Sequence, residues 1–244
     1  MKYFSTSLIL LLSFIGTAQI ISQDENKTKK PTEQEELTST KEKTIALFFS
    51  VTPAYTFRTL GVNEGLFSKP LGIKEDEYGE WTTGYHIGIR NKLSDHLKFS
   101  IGAGYSQNKE SYDFEQSDSV YRYRNSYRHI SFPIQLAFTF GNDISFYGGI
   151  GIIPKAFISM KQDKTTLDIN GNEATESTIY KEKFNSILID AVVSVGTQIK
   201  LNENYGIFAM VEARRQLNNN FNNQSPYIRK PFAIGLNVGV EVYF

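Results

Sequence analysis

The first residues that read as chemistry are His129 and Ser131, two positions apart in the stretch HISFPIQLAFTF. If this stretch alternates as a strand, both side chains share one face, where an imidazole takes the proton of a serine hydroxyl and makes it a nucleophile. That chemistry also needs an acid to orient the imidazole and donors for an oxyanion. Neither stands at a readable spacing, so no catalytic residue is expected. A second candidate is 168–172, Asp-Ile-Asn-Gly-Asn, which offers oxygens for calcium. Its glycine falls too early and no glutamate stands at the distal ligand position. Asn170-Gly171 suits a hairpin turn instead, and no metal or other cofactor is expected. A third is YRYRNSYR, where Tyr121, Arg122, Tyr123 and Arg124 are residue types that dominate recognition surfaces. The same eight residues also alternate as a strand does, which makes them equally at home in a sheet.

The fourth set is a scatter of charges whose meaning depends on which face they occupy: Arg90, Lys92, Lys98 and Arg214 against Asp190, Glu212 and Glu241. The elements that must position them are strands. The last fourteen residues, PFAIGLNVGVEVYF, place Phe232, Ile234, Leu236, Val238, Val240, Val242 and Phe244 in one row, with small or polar residues and Glu241 in the other. Seven earlier segments repeat this period of two, over 45–57, 81–90, 97–106, 129–140, 144–153, 186–199 and 205–214. The fifth is the weakest, because Tyr147 and Ile153 share a row with Ser145, Gly149 and Gly151, and Pro154 ends or bulges it.

The connections fall into two classes. Ser94-Asp95-His96, Gly141-Asn142-Asp143 and Asn202-Glu203-Asn204 are tight polar turns, whereas 59–79, 109–126, 161–183 and 217–230 are long. Short turns at one end and long loops at the other fit a transmembrane barrel with turns in the periplasm. Tyr55, Phe57, Trp81 and Tyr105 lie near the long-loop ends of their rows, and Phe140, Phe146, Tyr205 and Phe244 near the short-turn ends, as two aromatic girdles would. A lipocalin-like soluble barrel would put its apolar rows inside and its second rows in water. Those second rows are rich in Gly, Ser and Ala, which suits a crowded lumen better.

Composition sets the outer limits. The 244 residues carry 26 basic and 26 acidic side chains, a balance without the footprint of a nucleic-acid binder, and no cysteine, which removes disulfides and thiol catalysis together. The mean hydropathy of −0.32 excludes a helical membrane bundle. At the N-terminus Lys2, the apolar run 8–15 and Gly16-Thr17-Ala18 predict a signal peptide over 1–18. Residues 19–43 have Ile20, Ile21 and Leu37 as their only apolar side chains and are expected to be a disordered periplasmic leader, with the barrel over 44–244.

The stretches 84–111, 127–140 and 143–161 resemble the outer-membrane β-barrel domain of the PorT-like group of Bacteroidota. The resemblance covers nearly all of 44–244 and implies residence in the outer membrane of a Gram-negative bacterium. It specifies strands and turns rather than an activity. Asn237, Gly239, Val242 and Phe244 further resemble the terminal signal read by the barrel-assembly machinery, with Val242 departing from the aromatic usual there. His129 and Ser131 resemble a pair in outer-membrane lipid A deacylases, across two residues only. The expectation is therefore an all-β, eight-stranded antiparallel transmembrane barrel, monomeric and non-enzymatic, of OmpA/OmpX-like size. Its lumen should be filled by a structural charge network of Arg90, Lys98, Asp190, Glu212, Arg214 and Glu241, since eight strands leave just enough room for side chains. Outer-membrane lipid and the assembly machinery are the expected partners, with a possible ligand at the long loops. A narrow solute channel or a lipid A hydrolase are the alternatives.

Overall fold

The structure is a computed structural model and describes residues 44–57, 60–62, 76–116, 119–167, 171–222, 225 and 227–244. The expected signal peptide and leader, and most of the first long connection, lie outside these residues. The strands are β1 (Ile45–Phe57), β2 (Leu60–Val62), β3 (Glu77–Ser94), β4 (Leu97–Gln116), β5 (Ser119–Ser131), β6 (Ile134–Phe140), β7 (Ile144–Leu167), β8 (Glu173–Tyr180), β9 (Ile187–Lys200), β10 (Tyr205–Gln216), β11 (Tyr227–Arg229) and β12 (Phe232–Tyr243). No helix among the described residues is long and apolar enough to cross a membrane.

Eight antiparallel walls close into a ring, β5 and β6 together forming one of them. The seam is β1 against β12, from Ala46 opposite Tyr243 to Phe57 opposite Phe232, so every strand of the ring has two neighbours and no edge is left to pair. β5 and β6 part at Phe132 and Pro133, where the proline has no N–H to give the ladder. The Phe132 N–H there donates to the Pro154 carbonyl at 2.8 Å.

The distribution of side chains is inside out. Phe49, Ile87, Ile89, Ile150, Val193, Val195, Val211 and Val240 are exposed on the outer wall, while Ser50, Thr52, His86, Arg90, Ser131, Glu212 and Glu241 are buried within. An apolar surface running round the whole molecule is untenable in water and is what a bilayer requires. Aromatic pairs edge this belt at both ends. Tyr55 meets Trp81 at 5.6 Å and Phe57 meets Phe232 at 5.6 Å towards the long loops, and Phe140 stacks on Phe146 at 6.1 Å by the short turns.

Within the lumen Phe48 and Phe208 meet edge to face at 6.2 Å beside Tyr147 and Met210. The room for Phe48 comes from Gly88, where an added Cβ would lie 2.7 Å from the ring and 2.3 Å from the Ile101 carbonyl oxygen. Gly88→Val is expected to cost about 1–3 kcal/mol of overpacking strain. Urea unfolding of the barrel in liposomes would measure it, and an unchanged midpoint would mean that the plug is loose.

Of the long polar connections, the third was expected as a hairpin turning at Asn170-Gly171 and the second carries the strand-like alternation of YRYRNSYR, and these two are largely strand. β4 continues to Gln116 and β5 starts at Ser119, so 109–126 is a hairpin paired from Lys109 opposite Ser126 upwards. β7 and β8 form a second, with Gly171 at a φ of 78° by its tip. Both project beyond the apolar belt. A further short ribbon joins β2 to β11.

Candidate functional site

Two regions hold the side chains with chemical potential, the lumen and the projecting sheet. In the lumen, charges do not form one network but separate pairs stacked along the axis. Nearest the short turns, Glu241 is fully buried and accepts from Arg90, from Gln198 Nε2 at 2.5 Å and from the Tyr243 hydroxyl at 2.9 Å. Lys98 Nζ donates to Gln198 Oε1 at 2.7 Å. Above, the Arg90 guanidinium lies 4.9 Å from the Phe208 ring centre and 5.4 Å from that of Phe48. Next come Glu212 and Arg214, joined through Nε at 2.9 Å, with Asn237 Nδ2 donating to the second Glu212 oxygen at 2.7 Å. Higher still, Lys155 pairs with Asp190 at 2.6 Å and reaches Gln216 at 3.2 Å. Charges taken out of water in this way are held by their pairing and their extra hydrogen bonds.

A lid closes the end away from the short turns. Arg229 of β11 donates Nε–H to Glu110 of β4 at 2.7 Å, and its guanidinium lies 3.7 Å from the Tyr127 ring centre. Tyr127 and Asn125 give Glu110 two more hydrogen bonds, at 2.9 and 3.2 Å. Phe157, Phe184 and Phe221 stack beside them at 4.6 and 5.3 Å. Asn219 Oδ1 accepts the Arg229 backbone N–H at 2.8 Å, which fixes the chain that carries the arginine.

Lys155, Glu110 and Arg229 were not anticipated among the lumenal charges. Lys155 lies just past Pro154, where the fifth segment was ended, and the other two fell in stretches taken as loops. The continuing alternation Ser106, Asn108, Glu110, Tyr112 is the signal that points to Glu110.

His129 and Ser131 both face the lumen and are fully buried. They do not bond to one another. Ser131 Oγ instead lies 3.2 Å from His86 Nε2. The serine's partner is thus another histidine: His86 reaches past Gly104, where an added Cβ would stand 2.5 Å from the imidazole. A serine with no exposed surface inside a filled lumen has no route to a lipid. Of the suggested calcium loop, 168–170 lie outside the described residues, and among the described residues no cluster of His, Asp or Glu has the makings of a metal site.

The strip Tyr121 to Arg124 divides by its alternation. Tyr121 and Tyr123 join Tyr112 on one face, with Tyr112 stacked on Tyr123 at 5.3 Å and Lys164 Nζ 5.2 Å from the Tyr121 ring centre. Arg122 and Arg124 take the other face and meet carboxylates: Asp113 at 2.6 Å and Glu173 at 2.8 Å for Arg122, Glu80 at 2.6 Å for Arg124. On the neighbouring hairpin, hydrogen bonds from Lys161 and Ser177 hold the Asp163 carboxyl below the usual carboxylate range. A cleft of about 430 Å³ opens here, lined by Tyr78, Tyr112, Tyr123, Arg122, Arg124 and Asp163 among others.

On the terminal strand Asn237 and Gly239 face inwards, and Phe244 is exposed with its N–H bonded to the Ile45 carbonyl at 2.9 Å. Val242 belongs to the outward row of β12 and pairs with Leu47 across the seam. Deleting Phe244 is expected to lower the amount of assembled barrel in cells more than the urea stability of barrels that form. Equal losses in the two assays would leave it only an interfacial anchor.

A closed antiparallel ring with an apolar outer belt, aromatic girdles and a polar filled lumen defines an integral outer-membrane β-barrel. The family model for the outer membrane protein beta-barrel domain matches residues 55–222, and the chain belongs to that family. Its place is accordingly the outer membrane of a Gram-negative bacterium. Among solved structures it is similar to Neisserial surface protein A, at 12% identity over 82% of this chain and 97% of that one, with a TM-score of 0.46. The outer-membrane protease OmpT of Escherichia coli is similar at 10% identity over 84% and 98%, with a TM-score of 0.44. The attachment invasion locus protein Ail of Yersinia pestis is similar at 14% over 83% and 99%, with a TM-score of 0.38. No curated protein sequence matches this one.

Proposed function

We propose that this barrel is a non-enzymatic surface-recognition protein, and that the sheet projecting beyond the membrane is its binding element. The observation that carries this is the cleft of about 430 Å³ on that sheet, where the exposed Tyr78 stands in the cross-strand row of Arg124, beside Arg122, outside the apolar belt. Tyrosine gives large contact area at little entropic cost, and arginine gives forked hydrogen bonding, which is why the two dominate recognition surfaces. Within the family we place the chain with the PorT-like group, on the resemblance of 84–111, 127–140 and 143–161, without assigning it a secretion role.

The test is binding of the barrel in nanodiscs to an array of glycans and matrix proteins. A trimmed variant in which a two-residue turn replaces 112–123 serves as the control. Binding by the wild type, lost on trimming and reduced at least about tenfold by Tyr78→Ser, is the expected result. Planar-bilayer recordings are expected to stay at baseline. Array binding indifferent to trimming, or steady single-channel conductance from the wild type, would replace this reading with another site or with solute passage.

A further inference from the structure

The cleft of about 430 Å³ on the projecting sheet has a floor set by strand register. Tyr78, Ser111, Arg124 and Asp163 are successive cross-strand partners on β3, β4, β5 and β7, so they form one row on one face. Asp113, Arg122, Thr165 and Thr175 form the next row, across β4, β5, β7 and β8. Four strands side by side span about 14 Å, and rows two residues apart along a strand stand about 7 Å apart. Tyr112 and Tyr123 stack on each other on the opposite face. Among the described residues lining the cleft, that leaves Tyr78, 53% exposed, as the aromatic ring on this face.

The charges that line the cleft are already matched. Arg122 meets Asp113 at 2.6 Å and Glu173 at 2.8 Å, Arg124 meets Glu80 at 2.6 Å, and Asp163 accepts from Lys161 at 2.8 Å. Lys109 stands one row nearer the membrane, outside the lining. A charged ligand would have to compete with these pairs, so no ion is called for. An aliphatic ligand fares no better, because the polar groups beneath it would lose water without replacement. What the rows offer is donors and acceptors side by side. Guanidinium groups only donate, carboxylates only accept, and the hydroxyls of Ser111, Thr165 and Thr175 do both. Each matched pair keeps N–H groups and lone pairs to spare, and its mutual contact holds both side chains in place before a ligand arrives.

We propose that this cleft binds a neutral oligosaccharide, a ligand class that rests on reading the sheet as the binding element and makes that reading specific. One pyranose ring lies on Tyr78, and the chain continues across Ser111 to Arg124 and Asp163. A sugar matches this floor in two ways. The C–H face of its ring covers the exposed aromatic ring and takes that apolar surface out of water. Each of its hydroxyls donates and accepts at once, so neighbouring hydroxyls bridge a guanidinium and a carboxylate that stand side by side. Arg124 and Asp163 are such neighbours, as direct cross-strand partners. Thr165 and Thr175, whose hydroxyls meet at 2.8 Å, carry the polar track on towards β8.

The test sets the full chain in nanodiscs against immobilised neutral oligosaccharides of glucose, mannose and galactose. Heparin and polysialic acid supply anionic glycans, and matrix proteins supply the other class of partner. Saturable binding of at least one neutral oligosaccharide is expected, altered less than about twofold when ionic strength rises about tenfold, since an uncharged ligand has nothing to screen. Affinity should fall at least about tenfold in Tyr78→Ser and stay near the wild type in Tyr78→Phe, which keeps the ring. It should fall again in the double variant Thr165→Val with Thr175→Val, which removes two hydroxyls and keeps the β-branched side chains. A heat-modifiable gel shift matching the wild type checks that each variant is folded. Binding of anionic glycans alone, weakening with salt, would overturn the proposal in favour of an acidic ligand. Binding of a matrix protein alone, lost when 112–123 are trimmed, would overturn it and leave the sheet as a binding element. Neutral-glycan binding indifferent to trimming, or no binding to any probe, would remove both.

Discussion

Glu241→Ala is expected to destabilise the barrel by about 3–5 kcal/mol, the cost of breaking a buried ion pair from one side. Glu241 has no exposed surface, and three donors converge on it from β3, β9 and its own strand: Arg90, Gln198 and Tyr243. Without it Arg90 keeps its charge among Phe48, Tyr147 and Phe208, whose rings are within 6 Å of the guanidinium and give it only a weak electrostatic partner. The Gln198 amide and Tyr243 hydroxyl lose an acceptor at the same time, and each unsatisfied buried group adds to the loss. Reversible urea unfolding in liposomes measures the effect. The double variant Glu241→Ala with Arg90→Leu removes both charges and is expected to recover much of the stability, because what is expensive is the unpaired charge rather than the missing pair. A loss below about 1 kcal/mol in the single variant would mean that water reaches Arg90 and that the floor of the lumen is not sealed.

The membrane-crossing part of the fold is legible in the sequence because lipid imposes a strict rule on it. Each outward residue must be apolar while the inward row is mostly small or polar, so rows such as Ile45, Leu47, Phe49 and Val51 announce their faces directly. The seam between β1 and β12 follows from the same rule, since a strand edge in lipid has no water to satisfy it. Beyond the belt the rule lapses. Residues 109–113 and 120–126 alternate, but between tyrosines and charges rather than apolar and small side chains, so which strand pairs with which rests on ladder hydrogen bonds and on cross-strand charges such as Arg122 with Asp113. The partners within the lumen are hidden for a different reason. That His86 bonds Ser131 depends on the register of β3, β4 and β5 together and on Gly104 leaving the space between them. Single-strand alternation places both residues inside and stops there. The Glu110–Arg229 pair joins residues 119 positions apart, from stretches that neither composition nor turn chemistry ties together.

That pair supports the second large prediction. Arg229→Met keeps the length of the side chain but leaves Glu110 buried with only Asn125 and Tyr127 as donors, and the lid over the lumen is expected to lose about 3–5 kcal/mol of its closing free energy. The ring itself should hold, because the ladders of β1, β3, β4, β7, β9, β10 and β12 do not pass through β11. The effect is therefore local. Amide exchange at Asn220 and Arg229, whose backbones are bonded to each other at 2.9 Å, is expected to quicken by at least about a hundredfold, while the urea midpoint moves little. Protease added to intact cells should cut 217–230 in the variant before the wild type. Adding Glu110→Gln to Arg229→Met removes the stranded charge and is expected to slow exchange again. Conductance is expected to remain at baseline in all three proteins, because the Lys155–Asp190 pair, the Glu212–Arg214 pair and the Phe48–Phe208 plug lie beneath the lid and do not depend on it. Ion flow on opening the lid alone would show that those layers part readily and that the lid is the barrel's only seal.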